Sequence, residues 1–375
     1  MKVIVTQPHL AHGLSIVSRA VSLRSTLPVL SNVLLATDEG RLRLSATNLE
    51  LGITSWVPAL IEEEGSVTIP ARTLIDLVGT FPPDNVSLTL EERTQTLNLV
   101  CNHSVHDIKG IDAQDFPPMP VIDPDEGVEL NLADFKDMIQ QVAFAASDDE
   151  ARPVLQGVKM DVVENGITLA ATDGFRISVR KEALSFPVAQ DISILIPARA
   201  MNELARIFSE ADKSVRMVVP PNRGQVIFRL KDAELVSQLI DGNFPDYKSI
   251  IPKSAKTKTI VSTPAFLKAC KQAEVIAREG NNVIRLDIVP GEEGPGKVEI
   301  SAMTEETGKS DVSVEANIEG SALLIAFNVR FLREVLDVIH TPNVALETNA
   351  NNSPGVIRPM GDENFVHVIM PMHLG

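Results

Sequence analysis

The segment Gly291-Glu292-Glu293-Gly294-Pro295-Gly296-Lys297 spaces its glycines and lysine as a phosphate-cradling loop does. Val298, however, stands where such a loop needs a Ser or Thr to hold Mg²⁺, and two carboxylates inside the loop would repel a phosphate. The segment instead predicts a hairpin turn joining strands over Leu286–Val289 and Val298–Ala302. Cys101, His103 and His106 are metal-ligating residue types, yet on a strand His103 and His106 are an odd number apart and point to opposite faces. Carboxylates are abundant, but none forms a repeated or locally paired constellation, and no Ser/His or Cys/His arrangement is signalled. The expectation is a protein with no catalytic residues, no cofactor and no metal. An acid–base hydrolase and an adaptor that oligomerises without nucleic acid are the alternatives.

The elements that position these residues belong to a chain of 375 residues, 44% of them hydrophobic, long enough for two or three domains. Ala322–Phe327 is closed by Asn328 and Arg330, well short of the roughly 20 apolar residues of a membrane span. The first residues carry no leader-like apolar run, and two cysteines give no disulfide framework, so the chain reads as cytoplasmic, with no membrane partner. A net charge of −16 argues against an ordinary basic groove for nucleic acid. With 4% aromatics, a single Trp56 and a single Tyr247, stacking platforms for single strands are lacking too.

Four features recur three times in the same order. A helix face carries Leu10, Leu14 and Val17, then Phe135, Ile139 and Val142, then Phe266, Cys270 and Ala273, at offsets of 125 and 131. A strand end reads Ser45-Ala46-Thr47-Asn48, Ala170-Ala171-Thr172-Asp173 and, more loosely, Ser301-Ala302-Met303-Thr304, at the same offsets. A strand running into a second helix reads Ile69-Pro70-Ala71-Arg72, Ile196-Pro197-Ala198-Arg199 and Phe327-Asn328-Val329-Arg330. Each unit closes on an apolar residue and a proline, at Phe116-Pro117, Phe244-Pro245 and Met370-Pro371. Alternation in Val86-Leu88-Leu90, Leu97-Leu99-Cys101, Val226-Phe228-Leu230 and Val298-Ile300-Ala302 predicts half-buried antiparallel strands. The fold class is therefore α+β: a triplicated domain of two helices packed on antiparallel sheet, with domains at 1–122, 126–252 and 253–375.

This triplication resembles the bacterial DNA polymerase III β-subunit (sliding-clamp) family over the whole chain. Arg24-Ser25-Thr26-Leu27-Pro28-Val29-Leu30 is similar to that family's first-domain Arg-x-Thr-Leu-Pro segment, and Thr172-Asp173-Gly174-Phe175-Arg176 to its second-domain signature. Asn243-Phe244-Pro245-Asp246-Tyr247 and Met370-Pro371-Met372-His373-Leu374 match two more. Phe175 and His373 stand where relatives often have His and Arg, and Gly375 extends the usual Leu terminus.

The resemblance implies a head-to-tail homodimer closing a ring of six domains around double-stranded DNA, held topologically. It also implies tethering of the replicative polymerase, the clamp loader and other proteins bearing clamp-binding motifs, so as to confer processivity in DNA replication. The implied partner-peptide pocket comprises Leu155, Thr172, Gly174, Phe175, Arg176, Ile177, Pro245, Ile250, Asn328, Phe331, Val368, Met370, Pro371 and Met372. The six helical segments hold ten Lys or Arg against nine Asp or Glu, nearly neutral in an acidic chain. From them and the first inner loop, Arg24, Arg72, Arg199, Lys268 and Lys271 are the expected DNA-facing cations. The dimer contact is expected between an edge strand around Leu97 to Ile108 and the region of Val275 and Ile276. The acidic run Asp148-Asp149-Glu150 before Arg152 puts in question a DNA contact by that loop.

Overall fold

A computed structural model describes residues 1–22, 25–120, 126–185, 187–188, 190–209, 212–221 and 224–373. Arg24, the stretch 121–125 and the last two residues, Leu374 and Gly375, thus lie outside the described residues. Among the described residues there are six α-helices, α1 Gln7–Val17, α2 Ala71–Thr80, α3 Leu132–Val142, α4 Ala198–Ile207, α5 Thr263–Ala277 and α6 Val329–Asp337. None is long and apolar enough to cross a membrane.

The repeated helix-face residues explain why these segments are helical. Leu10, Leu14 and Val17 on α1, Phe135, Ile139 and Val142 on α3, and Phe266, Cys270 and Ala273 on α5 are all buried, at most 2% exposed. Each recurs at three- or four-residue spacing, so each helix presents one apolar stripe to a sheet. Burial of each large side chain contributes roughly 1.5–3 kcal/mol. The second helix of each repeat starts directly after a strand: α2 after Ser66–Pro70, α4 after Ile192–Pro197 and α6 after Leu323–Asn328. Pro70 is the N-cap of α2 and offers no side-chain cap, whereas Asn328 Oδ1 accepts a hydrogen bond from the Arg330 amide at 3.0 Å. The asparagine therefore satisfies one of the donors that a helix start leaves open.

Two compact units are formed, one from Met1–Ala133 with Glu203–Leu239 and the other from Asp134–Asn202 with Ile240–Gly375. The first holds a five-stranded antiparallel sheet in the order Leu60–Glu63, Lys2–Thr6, Asn85–Glu91, Thr96–Cys101, Ser104–Lys109. It also holds an eight-stranded sheet whose order is Val128–Asn131, Ser214–Val218, Gln225–Arg229, Ala233–Gln238, Leu51–Pro58, Arg41–Thr47, Asn32–Asp38, Ser66–Pro70. The second unit holds a twelve-stranded sheet. It runs Ile192–Pro197, Gly157–Val163, Gly166–Thr172, Arg176–Ala183, Phe365–Ile369, Gly355–Pro359, Asn343–Thr348, Thr257–Ser262, Gly308–Gly320, Gly296–Thr304, Val283–Val289, Leu323–Asn328. The central repeat contributes strands to both large sheets.

The alternation seen in the sequence is the burial pattern observed: Leu97, Leu99, Val226, Phe228, Val298 and Ile300 are buried, as are Val86 and Leu88. Residues 291–297 form the expected hairpin connection, with Val289 opposite Lys297. The edge-strand expectation is corrected in part. Thr96–Cys101 lies between two partners, hydrogen-bonded to Asn85–Glu91 on one side and Ser104–Lys109 on the other, and only Ser104–Lys109 is at the sheet edge.

Glu234 is an exception to the apolar interior of the eight-stranded sheet. It sits across from Arg229 on one side and Thr54 on the other and is only 7% exposed. Burial pushes its carboxyl up to about 7, against the downward pull of Arg229 and Arg43. The folded chain thus keeps this proton to a higher pH than the unfolded chain. The associated stability is full below about pH 4.5 and is lost as pH rises through about 7. Glu234→Gln is expected to raise stability at pH 8 by on the order of 2 kcal/mol and to change little at pH 4. Urea unfolding midpoints at the two pH values check this; an equal shift at both would refute it.

Candidate functional site

Strand Gly166–Thr172 turns into Arg176–Ala183 through a local hydrogen-bonding device. Thr172 Oγ1 donates to the Arg176 carbonyl at 2.7 Å and accepts from the Gly174 amide at 3.0 Å. Asp173 Oδ1 accepts from the amides of Phe175 at 2.8 Å and Arg176 at 3.0 Å. The side chains thereby satisfy the backbone of a sharp reversal in which Gly174 adopts φ +94. The first repeat builds the same turn 125 residues earlier. Thr47 Oγ1 bonds the Leu51 carbonyl and the Leu49 amide, and Asn48 Oδ1 accepts from the Glu50 and Leu51 amides. There Leu49 stands in place of the glycine at φ 77, a conformation costing a side-chain-bearing residue about 1–2 kcal/mol.

The Asp173–Phe175 turn forms the rim of a cavity of about 350 Å³ lined by Leu155, Thr172, Gly174, Phe175, Arg176, Ile177, Pro245, Tyr247, Ile250, Val368 and Met370. Ile177 and Val368 are directly opposed in the ladder between Arg176–Ala183 and Phe365–Ile369, so their side chains share one face. The Met370 amide donates to the Phe175 carbonyl at 2.8 Å, which holds the terminal segment against the rim. Phe175, Ile250 and Met370 are 59%, 42% and 40% exposed, so the cavity opens to solvent between apolar lips. Its size and lining suit one or two aliphatic or aromatic side chains.

Arg176 would make such a cavity polar if its charge were open. Its guanidinium instead donates to Asp173 at 3.1 Å, Glu334 at 2.5 Å and the Phe144 carbonyl at 2.7 Å. It is also packed against the rings of Phe144 and Phe331, 5.2 and 4.4 Å from their centroids. Its side chain is 5% exposed. Burial pushes the Glu334 carboxyl up, but the hydrogen bonds from Arg330 and Arg176 outweigh this and hold it below the usual range. His367 lies behind, fully buried, with Nδ1 2.6 Å from Ser178 Oγ and its ring stacked on Phe144. Burial first and Arg176 second push its pKa well below the ordinary value of 6.5, so the imidazole is neutral in the fold. The result is a charge-paired, buried floor under an apolar opening.

Other site expectations fall elsewhere. Asn328, Phe331, Pro371 and Met372 do not line the cavity: Asn328 caps α6, Phe331 covers Arg176, and the Met372 amide bonds the Ala326 carbonyl at 2.8 Å. Tyr247 lines it although the sequence reading did not place it there; its position in Asn243–Tyr247, beside Pro245, was the available signal. Of the expected DNA-facing cations, Arg24 lies outside the described residues. Arg72, Arg199 and Lys268 are exposed, and so is Lys271, whose Nζ is 2.8 Å from Asp337. Val275 is 54% exposed on α5, whereas Ile276 packs against the core of the second unit. The acidic run is partly neutralised internally, since Asp149 accepts from Arg152 at 2.8 Å. Arg152 in turn donates to the Asp173 carbonyl at 3.2 Å, tying this loop to the rim.

Among the described residues no group of three or more His, Cys, Asp or Glu could hold a metal ion. Cys101 and Cys270 are buried free thiols, and burial pushes Cys270 up to about 12. His103 falls in a turn, and His106 packs on Phe81 with ring centroids 5.6 Å apart.

Replacing Arg176 by Met would leave Glu334 and the Phe144 carbonyl without their partner. Breaking a buried pair of this kind costs about 3–5 kcal/mol. Chemical unfolding of Arg176→Met is expected to show a loss of that size, and a loss under 1 kcal/mol would show that the cluster is not a structural floor.

Sequence models of the DNA polymerase III beta subunit match the chain three times in succession, the N-terminal domain at residues 1–120, the central domain at 129–246 and the C-terminal domain at 248–373. The beta sliding clamp of Synechococcus elongatus is 34% identical over 377 residues, covering 100% of both chains, and that of Staphylococcus aureus is 31% identical over 364 residues, covering 94% of both. The crystal structure of the DNA polymerase sliding clamp from Bacillus subtilis, 29% identical, superposes over 100% of both chains with a TM-score of 0.93. The three repeated α+β domains, their antiparallel sheets and their order along the chain agree with these matches throughout, and the chain belongs to the DNA polymerase III β-subunit family, the non-catalytic sliding clamps of bacterial DNA replication.

Proposed function

We propose that two copies of this cytoplasmic chain close head to tail around duplex DNA, and that the apolar cavity beside Gly174 captures short segments of the replicative polymerase, the clamp loader and other partner proteins. The observation that carries this reading is the pairing of a triplicated fold with an open apolar cavity in which Arg176, the cation among the described lining residues, is already neutralised by Asp173 and Glu334. Such a cavity favours Leu- and Phe-type anchors over acidic ligands.

Two sheet flanks support closure by a second copy. Ser104–Lys109 ends the five-stranded sheet, and Gly308–Glu315 is paired on one side only, with the strand Gly296–Thr304. Both carry alternating charge, Asp107 and Lys109 on one and Lys309 and Asp311 on the other. Edge backbone of this kind is satisfied by pairing, and a heterologous contact can close into a ring. Exposed Val275 lies on α5 of the same repeat as the second flank.

The charge sets the mode of DNA association. A chain of net charge −16 does not hold duplex by a dense set of phosphate contacts. A closed ring needs only weak cationic contacts, here assigned to Arg24, Arg72, Arg199, Lys268 and Lys271, and strong ones would impede sliding. Direct binding to a short linear duplex is therefore expected to be feeble and salt-sensitive. Rings loaded on nicked circles should survive high salt and leave when the circle is cut, as read by gel-filtration retention before and after linearisation; equal loss from both forms would overturn the topological mechanism.

For the cavity, Met370→Ala removes an apolar lip and is expected to weaken binding of a fluorescent polymerase-tail peptide about 10- to 100-fold without changing dimer mass. Unchanged anisotropy titrations would place the peptide elsewhere.

A further inference from the structure

The junction between the first and central repeats is built to the same register as the junction that carries the cavity. In the first unit Gly52 opposes Val236 and Leu51 opposes Ser237; in the second, Ile177 opposes Val368 and Arg176 opposes Ile369. The offsets are constant, 125 on one strand and 132 on the other. The Thr47–Leu51 turn reproduces the hydrogen bonds of the Thr172–Arg176 turn. The short helical segment Pro28–Ser31 recurs as Pro153–Gln156, placing Leu30 as the counterpart of the cavity wall residue Leu155. The closing motif aligns Phe116-Pro117 with Phe244-Pro245, so Met119 is the counterpart of the lining residue Tyr247.

The two junctions differ in what the aligned residue does: Tyr247 packs with Ile177 and Val368 as part of the cavity wall, whereas Met119 reaches across the first junction. In the first unit Met119 packs against two apolar clusters at once. One contains Leu30, Leu34 and Phe116, and the other Val218, Ile227 and Val236. It thus spans from the cluster holding the Leu155 counterpart to that holding the Val368 counterpart. The glycine opposite makes this fit: a Cβ on Gly52 would lie 2.6 Å from Met119 Cε and 3.1 Å from Sδ. In the second unit that position is Ile177, and the space beside it is the open cavity.

We infer that the first junction is a second, latent groove for the same class of apolar peptide anchor, occupied in cis by the Met119 side chain. The segment carrying Met119 ends in the sequence between repeats, so the occupant belongs to a connection and not to a core element. The unbranched thioether side chain mimics in length and polarity a Leu or Met anchor of a bound peptide. This inference borrows its ligand class from the peptide reading of the cavity, but its placement rests on the register and on Met119 alone.

The test is peptide stoichiometry per chain, by isothermal titration of the full-length dimer with a short synthetic peptide carrying Leu and Phe anchors. Met119→Ala is expected to add one binding site per chain relative to the unmodified protein, and Met119→Leu, which refills the groove, none. Gly52→Ala provides an independent route, since its Cβ displaces the flexible end of Met119, and should also add a site if Met119→Ala fails to fold. A folded Met119→Ala chain with unchanged stoichiometry overturns the inference, as does an unchanged Gly52→Ala chain where Met119→Ala does not fold. If the unmodified chain binds no peptide and Met119→Ala binds one, the latent groove stands and the reading of the open cavity fails.

Discussion

The backbone ladders that join one repeat to the next carry the rest of the structure. Leu51–Ser55 with Ala233–Ser237, and Arg176–Arg180 with Phe365–Ile369, are antiparallel pairings between strands of different repeats. An antiparallel sheet with one apolar face must cover that face and satisfy its edges. Each repeat supplies two helices for the face, and its neighbour supplies the strand for the edge. Because the pairing register fixes which side chains share a face, the ladder of the second unit also places Ile177 beside Val368 and so makes the wall of the cavity. The pocket is a consequence of how repeats join.

The electrostatics follow from the same economy of contacts. The one guanidinium under the cavity is turned away from solvent by two carboxylates, a carbonyl and two rings, leaving the opening apolar. Neutral His367 extends this floor: its folded pKa lies below its unfolded one, so its contribution is full above about pH 6.5 and is lost as pH falls. Glu234 in the other unit acts in the opposite direction, losing stability as pH rises through about 7. The two buried groups therefore contribute with opposite sign to the pH dependence of stability.

Much of this was legible in the sequence. The offsets of 125 and 131 reflect the spacing of equivalent apolar positions, and the residues they picked out on α1, α3 and α5 are buried. The helices, the alternating strands, the hairpin at residues 291–297 and the family followed from periodicity, turn chemistry and motif, all of which are local. The Thr–Asx turn was visible as a recurring tetrapeptide because its hydrogen bonds close within five residues.

Tertiary structure decided what depends on partners distant in sequence. That Arg176 is neutralised rests on Glu334, 158 residues away, and on the rings of Phe144 and Phe331. Phe331 packs on Arg176 and Asn328 caps a helix, contacts that a motif does not reveal because it does not say which way a side chain points. Tyr247 entered the lining, and Thr96–Cys101 proved interior, through pairings the sequence does not encode locally. The sequence by itself determined the repeating unit and its periodicities, since these arise from short-range patterns; the tertiary structure alone decided that Met119 packs beside Gly52 at one junction while a cavity opens beside Ile177 at the other, since both depend on which distant segments the strand pairing brings together.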